Sequence, residues 1–257
     1  MQTALKVFIT GASSGIGGAL AEHYAARGAT LGLVARRARL LQSLAARLPC
    51  PTACYPLDVT DAAALRAAGA DFIARFGVPD IVIANAGVSV GTLTECAEDL
   101  DVIRRVMEVN YFGLAATFAP FVHAMRLAGC GRLVGVASVA GIRGLPGAEA
   151  YSASKAAAIS YLESLRLEMR GSGVKVVTLC PGYIETPMTA VNSYRMPFLL
   201  PAPEAARRFA RVIASGSSYA VIPWPMGIVA KLLRLLPNAV YDRLFAAAPR
   251  KPRKPVA

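Results

Sequence analysis

Short apolar or β-branched runs alternate along the chain with longer segments whose apolar residues recur at helical spacing. Gly, Pro, Asp or Asn bounds each short run, as is usual at strand ends. This alternation predicts an α/β fold, a doubly wound parallel sheet of about seven strands (Rossmann fold) with helices on both faces. Strands are expected at residues 6–10, 30–35, 53–57, 81–84, 131–137, 175–180 and 219–222.

The longer periodic segments are expected to form the helices that connect these strands. All of them fit a single catalytic domain over residues 1–224, an ordinary size for one α/β domain. A glycine-rich turn follows the first strand directly, so neither a signal peptide nor an N-terminal anchor is expected. No apolar stretch reaches the roughly 18 uncharged residues that a membrane-spanning helix requires. Helices are expected at residues 16–27, 38–47, 62–76, 100–126, 150–170 and 203–214.

The last part of the chain, residues 225–257, has a different pattern. Residues 226–236 predict an amphipathic helix with two basic residues on one face, and a second helical segment follows it. Seven basic residues stand against a single acidic one, Asp242, and this surplus is half of the net charge of +12. This apolar helical and basic extension would pack on the domain, on a partner subunit or on an anionic membrane surface, which it would contact through residues 226–254.

The composition indicates which cellular compartment and which binding partners to expect. Five cysteines, an odd number without CxxC spacing, are expected to be reduced thiols of a cytoplasmic protein. His23 and His123 stand alone in amphipathic segments, so no metal is expected. A net charge of +12 is compatible with nucleic acid, but no nucleic-acid-binding motif accompanies it, and no nucleic acid partner is expected.

A glycine-rich turn joins the first strand to the first helix. It reads Thr-Gly-Ala-Ser-Ser-Gly-Ile-Gly and contains Gly11, Ser13, Ser14, Gly15 and Ile16. Glycines at such a turn let the backbone approach a pyrophosphate, which then lies against the amide groups of a helix N-terminus. Taken alone, the turn is equally compatible with a tight strand-to-helix connection that holds no ligand.

The end of the second strand bears on the choice of cofactor. An NAD-specific site would carry an Asp or Glu there for the ribose 2′-hydroxyl, whereas this chain has Ala35, Arg36 and Arg37. Arginine is suited to hold a 2′-phosphate because its planar guanidinium matches phosphate oxygens. The cofactor is therefore expected to be NADP(H), and the alternative is two solvated arginines at a helix start.

Three residues have the chemistry of an acid/base site. Tyr151 and Lys155 stand four apart on a predicted helix, so both side chains project from one face. An ammonium beside a phenol favours the phenolate, and we expect Lys155 to lower the pKa of Tyr151. Ser138 ends a strand at the carboxyl edge of the sheet, where its hydroxyl can donate to a carbonyl oxygen.

Together these motifs resemble the classical short-chain dehydrogenase/reductase (SDR) family, in order over residues 5–190. The resemblance implies that Asp58 contacts the adenine, that Asn110 holds a water linked to Lys155, and that Thr186 meets the nicotinamide amide. It also implies that Lys155 grips the ribose hydroxyls. Many NADP-dependent relatives have a basic residue where this chain has Ser14, so the NADP(H) assignment depends on the arginines. The remaining implied cofactor contacts are Val59, Asn85, Ala86, Gly87, Pro181, Gly182 and Ile184.

The expected activity is an NADP(H)-dependent interconversion of a carbonyl and a secondary alcohol, with Ser138 polarising the carbonyl and Tyr151 as acid/base. The segment after Thr186 is rich in Met, Tyr, Phe and Leu and stands where the family has its substrate lid. Such a lid favours an apolar substrate, although the same residues would also suit packing on the sheet. The resemblance further suggests a homodimer or homotetramer.

Three other classes of protein share some of these features. A catalytically silent nucleotide-binding sensor with this fold would have a broken Ser/Tyr/Lys set, and here the set is whole. A sugar-nucleotide epimerase or dehydratase of the extended branch would need a sizeable C-terminal substrate domain, for which this chain is short. A nucleic-acid binder is suggested only by the charge.

Overall fold

The computed structural model describes residues 4–248 and 250–253. Seven of the strands among these residues form one sheet in which every neighbouring pair is parallel. This confirms the predicted doubly wound sheet. The strands are β1 (Lys6–Thr10), β2 (Thr30–Ala35), β3 (Thr52–Pro56), β4 (Ile81–Ala84), β5 (Arg132–Val136), β6 (Lys175–Pro181), β7 (Ile184–Glu185), β8 (Leu200–Pro201) and β9 (Tyr219–Ile222). The order in the sheet is β3-β2-β1-β4-β5-β6-β9, and β7 pairs with β8 separately.

Helices cover both faces of the sheet, and each face has its own hydrophobic core. Residues of α1, α2 and α7 pack with the strands on one face, whereas α3, α5 and α6 pack on the other. Strands enclosed in this way are apolar on both sides, which is why all four residues of β4 are buried. The helices are α1 (Gly15–Ala25), α2 (Ala38–Ala45), α3 (Ala62–Phe76), α4 (Asp99–Met107), α5 (Gly113–Ala128), α6 (Glu149–Glu168), α7 (Ala202–Ser215), α8 (Trp224–Leu235) and α9 (Asn238–Phe245).

The strand order reverses between β1 and β4. From β1 the chain builds outward through β2 and β3 on one side, and from β4 it builds through β5, β6 and β9 on the other. The loops that leave the carboxyl ends of these parallel strands therefore diverge at one point of the sheet edge. A crevice opens at such a point in α/β sheets, and ligands bind there.

The expectation of one continuous helix over residues 100–126 is wrong. The structure has α4, a π-helical turn at Glu108–Phe112, and then α5. A π-helical turn inserts an extra residue into the helical repeat and rotates the side chains that follow it. The turn buries Val109 and Asn110.

The C-terminal helices α8 and α9 fold back onto the domain. Arg143, in the loop after β5, donates to the carbonyl oxygens of Leu233 and Leu236, and its guanidinium lies 3.8 Å from the centroid of the Tyr241 ring. Met226 is buried on the inner side of α8. No helix among the described residues is both long and apolar enough to cross a membrane.

Candidate active site

The glycine-rich turn between β1 and α1 needs its glycines for conformation and for space. Gly11 and Gly15 have φ of +69° and +57°, a region that side chains disfavour. A Cβ on Gly17 would overlap the carbonyl oxygen of Gly11 and lie 2.5 Å from Nδ2 of Asn85. No side chain among the described residues caps α1, so the amide groups of its first turn are available to a ligand.

Asn85, just after β4, fastens this turn to the neighbouring strand. Its Nδ2 donates to the carbonyl oxygens of Thr10 and Gly11 at 3.0 and 3.3 Å, and its backbone N–H donates to Oγ1 of Thr10 at 3.2 Å. A Cβ on Gly11 would lie 2.8 Å from Cα of Ala86, so the two loops touch through backbone. This close packing fixes the shape of the crevice at the switch point.

The two arginines after β2 have different partners. Arg37 donates to the hydroxyls of Ser13 and Ser14 at 3.0 and 2.7 Å, so its guanidinium stands at the mouth of the glycine-rich turn. Arg36 lies 3.8 Å from the Asp58 carboxylate. Both arginines line the same cleft, but Arg37 alone of the two is bound to the turn.

The Asp58 carboxylate is also engaged by a residue that sequence reasoning missed. Arg105 of α4 forms an ion pair with it, and Thr60 donates through its backbone N–H and its hydroxyl, both at 3.0 Å. Burial alone would raise the pKa of Asp58, but these hydrogen bonds outweigh burial and hold the pKa below its ordinary value. Asp58 is therefore an anion that orders the loop after β3.

Tyr151 and Lys155 lie on α6, and Ser138 lies at the end of β5. The Nζ of Lys155 donates to the carbonyl oxygen of Val136 at 2.9 Å and lies 5.8 Å from the centroid of the Tyr151 ring. The hydroxyl of Ser138 lies near enough to the Tyr151 phenol to lower its pKa, and it accepts from the backbone N–H of Ala140 at 3.1 Å. The three side chains thus converge at one end of the crevice.

Burial governs the acidity of both ionisable groups. It raises the pKa of Tyr151, against a smaller lowering by the Ser138 hydroxyl, and it lowers the pKa of Lys155 to about 8. The expectation that Lys155 lowers the pKa of Tyr151 does not hold in this structure, because the ammonium is directed at the Val136 carbonyl. Near pH 7 the phenol is protonated and most of the lysine is charged.

Asn110 is fully buried in the π-helical turn. Its Oδ1 accepts from the Val88 backbone N–H at 2.8 Å, and its Nδ2 donates to the Val88 carbonyl oxygen and to the hydroxyl of Ser154, both at 2.9 Å. A Cβ built on Gly87 would lie 3.3 Å from Oδ1 of Asn110 and 3.5 Å from Nζ of Lys155. Gly87 thus leaves a gap of about atomic size between these two polar groups.

Most of the residues expected from the sequence line one cleft of about 500 Å³. Four residues expected from the sequence are not on its wall: Asn110, Ser138, Gly182 and Ile184. Ser138 and Asn110 are buried directly behind it, Ile184 is in β7, and Gly182 packs against Met226 of α8. The expected residues on the wall are Gly11, Ser13, Ser14, Gly15, Ile16, Arg36, Arg37, Asp58, Val59, Asn85, Ala86, Gly87, Tyr151, Lys155, Pro181 and Thr186. Sequence reasoning missed Leu57, Val88, Ser89, Val90, Val109, Val136, Ala137, Pro187 and Met188.

The segment between β7 and β8 covers one end of this cleft. Four of its large apolar side chains are substantially exposed: Met188 (37%), Val191 (48%), Phe198 (53%) and Leu199 (43%). Tyr194 packs edge-on against Tyr183, with ring centroids 6.4 Å apart. Side chains that merely packed on the sheet would be buried, so the exposure favours a lid over the cleft.

The cleft fits a dinucleotide. Uncapped helix amides and the glycine cradle lie at its centre, with Arg37 and the two serines at one end and the Tyr151 and Lys155 side chains at the other. A Cβ on Gly15 would come within 3.1 Å of the Thr186 side chain, so a larger residue there would narrow the passage between the two ends. Such an arrangement places a phosphate group and a reacting carbon at the two ends of one ligand.

Comparisons with known proteins agree with this geometry. The family model of short chain dehydrogenases matches residues 5–196. An uncharacterized oxidoreductase of Myxococcus xanthus is 38% identical over 91% of this chain and 93% of its own length, and Dehydrogenase/reductase SDR family member 7B of Bos taurus is 32% identical over 96% and 82%. The crystal structure of a short-chain dehydrogenase from Streptomyces avermitilis superposes with a TM-score of 0.78 at 26% identity, over 94% of this chain and 96% of that one.

The chain therefore belongs to the short-chain dehydrogenase/reductase family. It is an oxidoreductase of carbonyl and alcohol groups that uses a nicotinamide dinucleotide and a small-molecule substrate.

Proposed function

We propose that this protein is an NADP(H)-dependent oxidoreductase that interconverts a carbonyl and a secondary alcohol on an apolar substrate. The observation that carries the proposal is the pair of contacts from Arg37 to Ser13 and Ser14 at one end of a cleft whose other end holds Tyr151 and Lys155. A catalytically silent sensor would have no need of an intact acid/base set beside its nucleotide site.

The cofactor, when bound, supplies or accepts the hydride. In the proposed reduction, the Ser138 hydroxyl donates a hydrogen bond to the substrate oxygen and polarises the carbonyl. The Tyr151 phenol, kept protonated by burial, then donates its proton to the same oxygen. Alcohol oxidation uses the same two groups in reverse.

Lys155 has two proposed roles. As an ammonium near neutral pH it would hold the ribose hydroxyls of the cofactor, and it would pass protons towards Tyr151. The gap beside Gly87, between Nζ of Lys155 and Oδ1 of Asn110, offers a route for protons from the interior side of the cleft. Asn110 itself is a positioning residue, because its amide is fixed by Val88 and Ser154.

The preference for NADP(H) is assigned mainly to Arg37, with a smaller contribution from Arg36. Arg37 and the serine hydroxyls form a cluster of donors at the place of a ribose 2′-phosphate, whereas Arg36 is shared with the Asp58 carboxylate. Both arginines are solvent-exposed, so a phosphate can reach them. The lack of an acidic residue at Ala35, Arg36 or Arg37 removes the group that would repel it.

Replacing Arg37 with Met tests this assignment. The Michaelis constant for NADPH is expected to rise about tenfold or more, because a charge-assisted hydrogen bond contributes roughly 1.5 to 3 kcal/mol. The constant for NADH should stay unchanged, since NADH has no 2′-phosphate. Arg39→Met is the matched control, because Arg39 is exposed on α2 and is not on the cleft wall. Equal effects on both cofactors, or a wild type that prefers NADH, would refute the NADP(H) assignment.

An apolar substrate is proposed from the lid. Met188 lines the cleft, and Val191, Phe198 and Leu199 expose apolar surface on the same segment, which is available to cover a hydrocarbon chain. In a series of ketones with increasing alkyl chain length, the Michaelis constant should therefore fall as the chain lengthens.

The proposed division of the chain is a catalytic domain over residues 1–224 and an extension over residues 225–257. The outer face of the C-terminal helices is a proposed site of peripheral membrane contact. Four side chains of α8 lie open on one face: Trp224 (69%), Ile228 (51%), Leu232 (59%) and Leu235 (80%). Lys231, Arg234 and Arg243 are exposed beside them. Apolar side chains flanked by cations suit the surface of an anionic bilayer. The proposed location is thus the cytoplasm, at a membrane surface, where the five cysteine thiols, all free, would stay reduced.

Co-sedimentation with phosphatidylserine-containing liposomes tests this surface. The wild type is expected in the pellet at low salt, and Leu232→Asp combined with Leu235→Asp should move most of it to the supernatant. Leu127→Asp, at an exposed position on α5, is the control and should sediment like the wild type. If the double variant instead dissociates a homodimer or homotetramer, as seen by analytical ultracentrifugation, the face is a subunit interface and the membrane assignment fails.

A further inference from the structure

Residues 250–253 lie across the rim of the cleft. Arg253 donates to both carboxylate oxygens of Asp99, at 2.8 and 3.1 Å, and to Glu98 at 2.9 Å. The carbonyl oxygen of Pro252 accepts from the backbone N–H of Gly91 at 3.1 Å. This segment, which we call the C-terminal strap, is thus tied to the loop that follows β4.

Two glycines make room for the strap. A Cβ on Gly91 would overlap the carbonyl oxygen of Lys251 and lie 2.8 Å from its carbonyl carbon. Gly147, in the loop after β5, has a φ of +65°, and a Cβ on it would lie 3.0 Å from the side chain of Arg250. The strap therefore sits between the loops after β4 and β5, two of the loops that surround the substrate end of the crevice.

Lys251 reaches from the strap to the wall of the cleft itself. Its Nζ donates to Oγ of Ser89 at 3.0 Å and to the carbonyl oxygen of Met188 at 3.3 Å. Ser89 and Met188 both line the cleft that holds Tyr151, and Met188 belongs to the lid. The ammonium thus stands where the lid meets the loop after β4.

The two cations of the strap, Lys251 and Arg253, differ in whether a carboxylate pairs with them. Arg253 is paired with two carboxylates, whereas no carboxylate in the described part of the chain lies within 4.0 Å of the Lys251 ammonium. Its two acceptors are neutral, and burial lowers its pKa. An ammonium that is partly withdrawn from water and has only neutral partners is stabilised by an incoming anion.

We propose that Lys251 is a specificity-determining residue that binds an anionic head group, a carboxylate or a phosphate, of the substrate. The inference rests on the proposed function, since it names the substrate class of the same cleft. In this proposal the lid covers the hydrocarbon part of the substrate. The Lys251 ammonium and the Ser89 hydroxyl together hold its charged end. The substrate class is accordingly an anionic amphiphile that carries a ketone or a secondary alcohol.

Paired substrates test the inference by kinetics. Keto carboxylates of graded chain length are compared with their methyl esters in the wild type and in Lys251→Met, which keeps an unbranched side chain one atom shorter and removes its charge. For the best keto acid, Lys251→Met should raise the Michaelis constant about tenfold, as expected for one charge-assisted hydrogen bond, and leave the ester within about twofold. Lys175→Met, at the exposed start of β6 and away from the cleft wall, is the matched control and should change neither.

A second measurement is independent of turnover. Titration calorimetry with decanoate and with methyl decanoate, on protein saturated with NADP⁺, should show tighter binding of the anion by the wild type and loss of that difference in Lys251→Met. Equal effects of Lys251→Met on acid and ester, or no preference of the wild type for decanoate, would overturn the inference and leave the strap as a purely structural tie. If decanoate binding behaves as expected while no ketone is reduced, the proposed function fails and the anion site stands.

Discussion

Replacing Tyr151 with Phe is expected to lower kcat for ketone reduction by about two to four orders of magnitude, the usual contribution of a general acid. The substitution removes the phenolic proton and keeps the ring. The phenol lies on the cleft wall, and the phenylalanine that replaces it has no proton to give to the substrate oxygen. Steady-state kinetics with NADPH and a saturating ketone measure the loss.

Two controls distinguish a loss of the proton donor from a loss of folding: the affinity for NADPH, and a variant at a second tyrosine of the same helix. Tyr151→Phe should bind NADPH with near wild-type affinity. Tyr161 is also on α6, but it packs against Tyr111 with ring centroids 6.0 Å apart and does not line the cleft. Tyr161→Phe should therefore keep full activity. A Tyr151→Phe enzyme with a kcat close to that of the wild type would remove Tyr151 from its assigned role.

Replacing Gly17 with Ala is expected to weaken cofactor binding by about tenfold to a hundredfold. The new Cβ would overlap the Gly11 carbonyl oxygen and lie 2.5 Å from Nδ2 of Asn85, so the turn must shift. Overpacking of this kind costs roughly 1 to 3 kcal/mol. Since the same turn would form the cradle for the pyrophosphate, the shift is expected to raise the dissociation constant of NADPH, measured by quenching of protein fluorescence.

The neighbouring glycine of the same helix is the matched control. A Cβ on Gly18 would have its nearest contact at 3.4 Å, an ordinary distance, with the carbonyl oxygen of Ala12. Gly18→Ala should therefore bind NADPH normally and raise the melting temperature, because Ala is favoured over Gly in a helix by about 1 kcal/mol. If both variants bind NADPH equally well, the turn does not have the role that its geometry indicates.

Much of the fold could be predicted because the strands are enclosed. The predicted bounds of β1, β2, β4 and β9 and of α3 are those of the structure. Strands covered on both faces are short and continuously apolar, and polar residues interrupt the sequence where each of them ends. The α3 helix begins just after Asp61, whose side chain accepts from the Ala64 backbone N–H, and it ends before Gly77. Local signals thus fixed these elements.

The core of the site could be predicted for a similar reason. The glycine-rich turn is local in sequence, and Tyr151 and Lys155 are joined by one helix. Only Ser138 had to be placed by the topology, which brings the end of β5 beside α6. The pKa of Tyr151 could not be predicted from the sequence in the same way. It depends on burial and on the direction of the Lys155 side chain, and the four-residue spacing reveals neither.

Features that depend on contacts between distant residues were missed. Arg105 pairs with Asp58 across 47 positions, and Arg253 pairs with Asp99 across 154. A run of basic residues at a chain end is ordinarily solvated, and nothing local distinguishes Lys251 or Arg253 from its neighbours. The π-helical turn was missed because apolar periodicity continues through it, although Asn110 in an apolar stretch was the one local sign of a break.

Transfer of a labelled hydride from NADPH to a ketone would demonstrate the proposed activity itself. NADPH that carries deuterium at its transferable position is incubated with the protein and a set of ketones, and the alcohol product is analysed by mass spectrometry. We expect an alcohol with one deuterium on the former carbonyl carbon, formed faster with NADPH than with NADH and not formed by Tyr151→Phe. Cofactor that binds but yields no deuterated alcohol from any ketone would contradict it.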